Sequence, residues 1–480
     1  MTRADLSESA RRPLLVRLVA VLLVALCPLN ARAQSAAVVP NAAAPDLWTQ
    51  STLFGQLGGL RPWLKTHGIT FGLTETDELW DNTTGGLRRG PVYDGLAGAS
   101  LMIDTAKAFG WQGGTFNASL LQLHGHSITN DHLLALHTVS SSEGLPATRL
   151  WEVWYDQEVL GPNLDIKIGQ QSVDQEFLAP DYASVFVNNT LGWPVLPSSD
   201  LYAGGPSAPL SSLGVRLRAK LGANLTALVG VFDDNPPGGP FNADSSVLGA
   251  EATGTRFNLG TGALWMAELQ LHTHQKPAKT CNDLSCGLPG TLKLGMMYDS
   301  GSFPDQRFGL DGLSLANLAS RGVARMHRGN LMAYAIGSQM LWRDAADDQR
   351  SLGAFVRVMT GPSDRNLVDY AVDAGLDLQS PLPGRDHDQL ALAYSYAHIS
   401  ARAAALDADT ALFSDKPYPR RSGESLVEAT YLAQVTPWWV VQPDFQYIVR
   451  PGGGITVAGV GSPKVGNEVV FGLHSVVTFQ

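Results

Sequence analysis

The feature that most constrains this chain is side-chain alternation of period two, repeated in short segments along its length. Leu213, Val215, Leu217, Ala219 and Leu221 alternate with Gly214, Arg216, Arg218 and Lys220. Leu225, Ala227, Val229 and Val231 alternate with Asn224, Thr226 and Gly230. Ala263, Trp265, Ala267, Leu269 and Leu271 oppose Met266, Glu268, Gln270 and His272, and Trp439, Val441, Phe445, Tyr447 and Val449 oppose Gln442, Asp444, Gln446 and Arg450. Successive side chains of a strand point to opposite faces. In a helix Arg216, Arg218 and Lys220 would scatter about the axis, whereas in a strand they share one face.

Soluble β-sandwiches also alternate, so composition and chain ends must separate the possibilities. Charged residues make up 16% of the chain, hydrophobic residues 44%, and there are 50 glycines. A soluble domain carries about 25% charged residues. A barrel with an apolar outer band and a polar lumen needs fewer charges and many turns. After the leader no apolar run reaches the ~18 residues of a membrane helix, which excludes a helical membrane protein. Trp151, Tyr155, Tyr394, Tyr396 and Phe479 fall on apolar faces near strand ends, where interfacial aromatics belong. In the closing segment Val469, Phe471, Leu473, Ser475, Val477 and Phe479 alternate with Val470, Gly472, His474, Val476 and Thr478, and Gln480 follows. Bacterial outer-membrane barrels end in such an amphipathic strand with a terminal aromatic, read by the barrel assembly machinery. The expected fold is an all-β, transmembrane antiparallel β-barrel in the outer membrane of a Gram-negative bacterium.

Residues 1–33 read as a secretory signal peptide: Arg11, Arg12 and Arg17, an apolar run from Leu18 to Leu26, and Ala31-Arg32-Ala33 before a cut at Gln34. Residues 34–67 form an Ala-rich flexible stretch and then a short helix, with Leu53, Leu57, Leu60 and Leu64 at helical spacing. Residues 68–480 are the barrel. The net charge is −10, and the leader holds more arginines than acids, so the exported part is more acidic still. That argues against nucleic acid as a partner. After export Cys281 and Cys286 can form a small-loop disulfide.

The segments LFGQLGGLRPWLKTHGITFGL, GGLRRGPVYDGL, TRLWEVWYDQ, IGQQSVDQEF, DYASVFVNNTLGWPVLPS, GGPSAPLSSLGVRLRAK and VGVFDDNPPG together resemble the OprB-type carbohydrate-selective porins. The likeness runs in order from about residue 50 to 235 and is looser beyond. It implies sixteen antiparallel strands, a narrow pore, and passive uptake of glucose and other sugars.

Strand parity then selects pore-lining residues. Glu152, Trp154 and Asp156 oppose Trp151, Val153 and Tyr155, and a charge turned to lipid at mid-membrane costs roughly 2–4 kcal/mol. An acid and an aromatic on the lumen side could hydrogen-bond sugar hydroxyls and stack on a sugar face, or could simply be lumen polarity. Arg216 and Arg218 form a basic stripe, Arg149 opens a strand, and Arg88 and Arg89 occupy a Gly-rich turn. Arginines facing acids make the transverse field of a pore constriction, and a guanidinium can donate two parallel hydrogen bonds to vicinal hydroxyls. Ordinary ion pairing inside a barrel wall is the plainer reading. Trp193, in a Gly-Trp-Pro turn, is either part of a sugar-guiding vestibule or a loop anchor.

His124/His126 and His272/His274 are i, i+2 pairs on one strand face. Spacing sets no third ligand beside them, and they are expected to face a polar lumen. No cofactor or metal is expected. The chain has no G-x-S-x-G elbow, P-loop or H-E-x-x-H motif, and Asp174 and Glu176 are the nearest approach to a glycosidase pair. The expected partners are small sugars and outer-membrane lipid. The rival readings are a porin for polyols or sugar acids, and an outer-membrane or periplasmic protein that binds or hydrolyses carbohydrate.

Overall fold

The computed structural model describes residues 46–238, 252–273, 287–347 and 349–480. The leader, His274, Cys281 and Cys286 lie outside the described residues.

Sixteen antiparallel strands pair in chain order and close on themselves. They are β1 (Ile69–Thr84), β2 (Gly90–Asp104), β3 (Gly114–Gly125), β4 (Ala147–Glu158), β5 (Leu164–Gln171), β6 (Ser212–Lys220), β7 (Leu225–Asp233) and β8 (Ala263–Thr273). The second half comprises β9 (Gly290–Gly309), β10 (Ala324–Arg343), β11 (Ser351–Thr360), β12 (Val368–Gln379), β13 (Gln389–Ile399), β14 (Gly423–Thr436), β15 (Trp439–Val449) and β16 (Glu468–Thr478). A short helix, α1 (Leu60–Thr66), precedes β1. The seam joins β1 to β16, and Gln480 takes part in it: the Leu73 amide donates to the Gln480 carbonyl at 2.9 Å.

The alternating sequences settle on the expected faces. Leu217, Val229, Trp265, Leu269, Phe471 and Leu473 are exposed on the outward wall, while Arg216, Glu268, Asp444 and Gln446 are buried on the inward one. The inward face is not uniformly polar, however. Phe232, Met266, Met297, Met332, Ile336 and Met359 also point inward and are buried. They pack against Phe177, Leu178, Trp193, Val195 and Leu196 of the segment joining β5 to β6. Trp80, Val92, Leu426, Ile448 and Val470 do the same with Ile128, Leu133 and Val139 of the segment joining β3 to β4. Each large apolar side chain so buried contributes roughly 1.5–3 kcal/mol. A third, smaller cluster joins Phe355 and Ala393 of the wall to Ala183 and Leu191 of the β5–β6 segment, so the lumen of the described barrel holds three apolar cores. Trp80 fits because its neighbour on β16 is Gly472, where a Cβ would lie 2.1 Å from the indole ring.

One irregularity matters for the site. The β3–β4 register shifts between Ser119/Glu152 and Leu120/Leu150. Unbroken alternation would set Arg149 and Glu152 on opposite faces. The bulge at Trp151 lets both turn inward, where they pair with Leu121 and Ser119.

Candidate functional site

The lumen is narrowed by the two inserted segments, 126–146 and 172–211, and charged residues of the inner wall hold them there. Glu424 on β14 accepts hydrogen bonds from the Leu136 amide at 2.9 Å, the His137 amide at 2.8 Å and His137 Nδ1 at 2.6 Å. Glu78 on β1 accepts from the Ser140 and Ser142 hydroxyls at 2.8 and 3.2 Å. Gln446 Nε2 donates to the Val139 carbonyl at 2.9 Å. Within the segment Glu143 accepts from the Thr129 amide and hydroxyl at 3.0 and 2.8 Å, and from the Ser127 hydroxyl. Burial raises the Glu143 carboxyl to about 7 against the lowering effect of those bonds.

The second segment is held in the same way. Arg357 on β11 donates to the carbonyls of Leu178, Thr190 and Gly192 at 2.9, 2.7 and 2.8 Å. Glu428 accepts from the Val187 amide at 2.7 Å, Gln442 donates to the Val185 carbonyl at 2.7 Å, and Lys293 to the Ala179 carbonyl at 2.6 Å. In return Asp200, in helix α2 (Val195–Asp200), accepts from the Val368 amide at 3.1 Å. Burial drives the Asp200 carboxyl well above its ordinary value. Buried backbone groups need partners, and here strand side chains supply what a sheet would supply elsewhere.

Beside these segments, β4, β5 and β6 present a wall of paired charges. Arg216 lies among Asp156 (3.1 Å), Glu176 (2.7 Å) and Asp165, with Arg218 on Asp165 at 2.8 Å. Lys167 pairs with Glu176, and its ammonium stands 4.7 Å over the Trp154 ring. Trp154 Nε1 donates to Glu152 at 3.3 Å, and the other oxygen of Glu152 accepts from the Ser172 amide at 2.9 Å. Burial by itself would raise the Glu176 carboxyl; Lys167 and Arg216 outweigh it and hold the group below its ordinary value. Three cations face four carboxylates, so this wall is close to neutral. Trp154 is partly exposed within it.

The residues singled out from sequence thus divide. Glu152, Trp154, Asp156, Arg216 and Arg218 come together on the β4–β6 wall. Arg149 is buried 3.5 Å from the Pro209 carbonyl, at the edge of that wall. Arg88 and Arg89 lie apart, exposed in the β1–β2 turn. Trp193 is 2% exposed, packs in the apolar core of the second segment, and donates from Nε1 to the Gly204 carbonyl at 2.7 Å. His124 departs from the expected lumen position. It pairs with Gly95 and lies on the outward face, alongside Tyr93, Asp77 and Glu75. Sequence reasoning missed Asp165 and Lys167 of the charge cluster and the loop-holding set Glu78, Arg357, Glu424 and Glu428, and it singled out Glu176 only beside Asp174, not as the partner of Lys167 and Arg216. Asp165, Lys167, Arg357 and Glu428 sit at inward parity between apolar outward neighbours, a signal available in the sequence, whereas Glu78 follows Asp77 and Glu424 lies between Gly423 and Ser425.

The profile of the carbohydrate-selective porin OprB family matches residues 88–479. Porin B of Pseudomonas aeruginosa is 24% identical over 429 residues, spanning 84% of this chain and 87% of that protein. The high-pH structure of Pseudomonas putida OprB superposes with a TM-score of 0.76 at 21% identity, over 90% of this chain and 99% of that one. Its low-pH structure gives 0.53 at 16% identity over the same shares. A closed sixteen-stranded barrel, a lumen narrowed by inserted segments and a family match across most of the sequence agree: the chain belongs to the OprB family of carbohydrate-selective porins, channels of the outer membrane.

Proposed function

We propose that this channel passes neutral monosaccharides such as glucose by passive diffusion, with the β4–β6 wall as its selective surface. The observation that carries this reading is Trp154, a partly exposed indole bordered by Glu152, Lys167 and the Arg216 cluster. An apolar face beside hydrogen-bonding groups suits a sugar ring, which has one apolar side and a rim of hydroxyls. The near balance of three cations and four carboxylates favours an uncharged solute over a sugar acid. Arg216 is occupied by three carboxylates, so the basic stripe offers an anion little unpaired charge. Arg88 and Arg89 would act before the wall, as an approach at the channel mouth. The terminal strand ending at Phe479 would serve the assembly machinery.

Swelling of proteoliposomes tests the reading. Glucose should enter faster than gluconate or an amino acid of similar size, and Trp154→Ala should reduce the glucose advantage while leaving chloride conductance near its original value. Equal rates for glucose and the amino acid would refute sugar selectivity. Faster entry of gluconate would favour the sugar-acid alternative.

A further inference from the structure

Three metal-ligating side chains meet on the outward wall of the barrel. Glu75 and Asp77 lie on β1 and His124 on β3, and their ligand atoms are all within 4.8 Å of one another. The register fixes their face. Asp77 pairs with Gly95 and Ser475, and Gly95 pairs with His124. Two residues further along the same face, Leu79 and Leu473 pair and are 53% and 46% exposed. This is the wall that a membrane barrel turns to lipid.

Strand β2 separates β1 from β3, yet the side chains meet across it. Gly95 makes that possible, because a Cβ there would stand 2.4 Å from His124 Nε2. In the space so left, Nε2 comes within 3.5 Å of Glu75 Oε1 and 3.0 Å of the Tyr93 hydroxyl. The hydroxyl in turn donates to Asp77 at 2.6 Å. Tyrosine has one proton to donate, and Asp77 receives it.

Ionisable residues on a membrane-embedded surface are costly and call for a named partner. Two carboxylates side by side repel each other where little water screens them, and a divalent cation neutralises both. A tetrahedral ion with bonds of about 2.1 Å keeps its donors roughly 3.4 Å apart, close to the spacing of Glu75 and His124. One imidazole with two carboxylates suits zinc and its neighbours, whereas calcium and magnesium favour oxygen donors alone. His126 stays outside the set, since its side chain is 81% exposed and pairs with Asp131 at 3.5 Å.

We propose that the outward wall of β1–β3 binds a divalent ion of the zinc class through Glu75, Asp77 and His124, with Tyr93 positioning Asp77. The ion ties β1 to β3 across β2, next to the seam that closes the barrel.

The test uses the full-length protein in detergent, stripped with EDTA and titrated with zinc chloride in a calorimeter. One ion per chain is expected. His124→Ala, Glu75→Gln and Gly95→Ala should each weaken binding by about tenfold or more. Gly95→Ala keeps all three ligands but sets a Cβ 2.4 Å from His124 Nε2 and 2.8 Å from the Thr76 carbonyl, so its loss of affinity reports on the geometry of the imidazole and of β1 together. Heat-modifiable migration in gels confirms that each barrel is folded, and His124→Gln replaces His124→Ala if the latter fails. Zinc binding unchanged in His124→Ala and Gly95→Ala overturns the proposal, as does no uptake by the wild type at millimolar zinc. Calcium bound as tightly as zinc overturns the assignment to the zinc class.

Discussion

Arg357 Nε stands 2.8 Å from Asp373 Oδ2 across β11 and β12, with both side chains shut off from solvent. The remaining guanidinium nitrogens are spent on three carbonyls of segment 172–211. One arginine therefore joins the wall to the obstruction that narrows the lumen. Replacing it leaves a buried carboxylate unpaired, at a cost of about 3–5 kcal/mol. Arg357→Gln should raise single-channel conductance and expose segment 172–211 to added protease, both measurable on reconstituted protein.

Arg216 and Arg218 differ in how much each controls. Arg216 is 1% exposed among three carboxylates, whereas the Arg218 side chain is 42% exposed and pairs with one. Exposed pairs are weakened by water and salt. Arg216→Ala should shift the reversal potential in a potassium chloride gradient clearly toward cations, and Arg218→Ala should shift it less. Equal shifts would count against the pairing scheme.

Glu143 gives segment 126–146 a dependence on pH. Its carboxyl rises from an ordinary 4.5 to about 7 in the folded barrel. A carboxyl raised by folding contributes its stability fully below the unfolded value and loses it as pH climbs through the folded one. The loss is roughly 3 kcal/mol. Protease cleavage of the segment should thus increase from pH 5 to 8, and Glu143→Gln should flatten that rise.

Trp193 separates anchoring from recognition. Trp193→Phe keeps most of the packing and leaves the Gly204 carbonyl without its donor, at about 1–3 kcal/mol. Trp193→Ala adds a cavity and should cost about 3–5 kcal/mol. Thermal denaturation followed by heat-modifiable migration reads both. If Trp193→Phe lowers stability without changing sugar flux, the residue is an anchor.

The strands were legible because alternation is a strong and local signal. Arg216, Glu268, Gln442 and Asp444 fell on the inward face as their parity required. The contents of the lumen were not legible. Phe232 and Met297 turn inward like the polar residues, and parity alone does not show that segment 172–211 waits to cover them. The bulge at Trp151 reverses parity within one strand, so Arg149 and Glu152 share a face that simple counting denies them. His124 misled for a related reason: its outward partners Glu75 and Asp77 come from β1, about fifty residues earlier in the sequence, and meet it only through register. The family likeness supplied the sixteen strands, which no local pattern contains.

The seam between β1 and β16 has a bearing on the order of events during folding. Thr83 donates to the Val469 carbonyl across 386 residues of chain. Bringing such distant segments together costs roughly 5 kcal/mol in loop entropy alone, while every other strand pair forms between sequence neighbours. The fourteen interior strands can zip progressively, but β1 and β16 remain open edges, prone to pairing with other chains, until the last of the sheet is made. The most vulnerable interval in the life of this protein is therefore the one just before its ring closes.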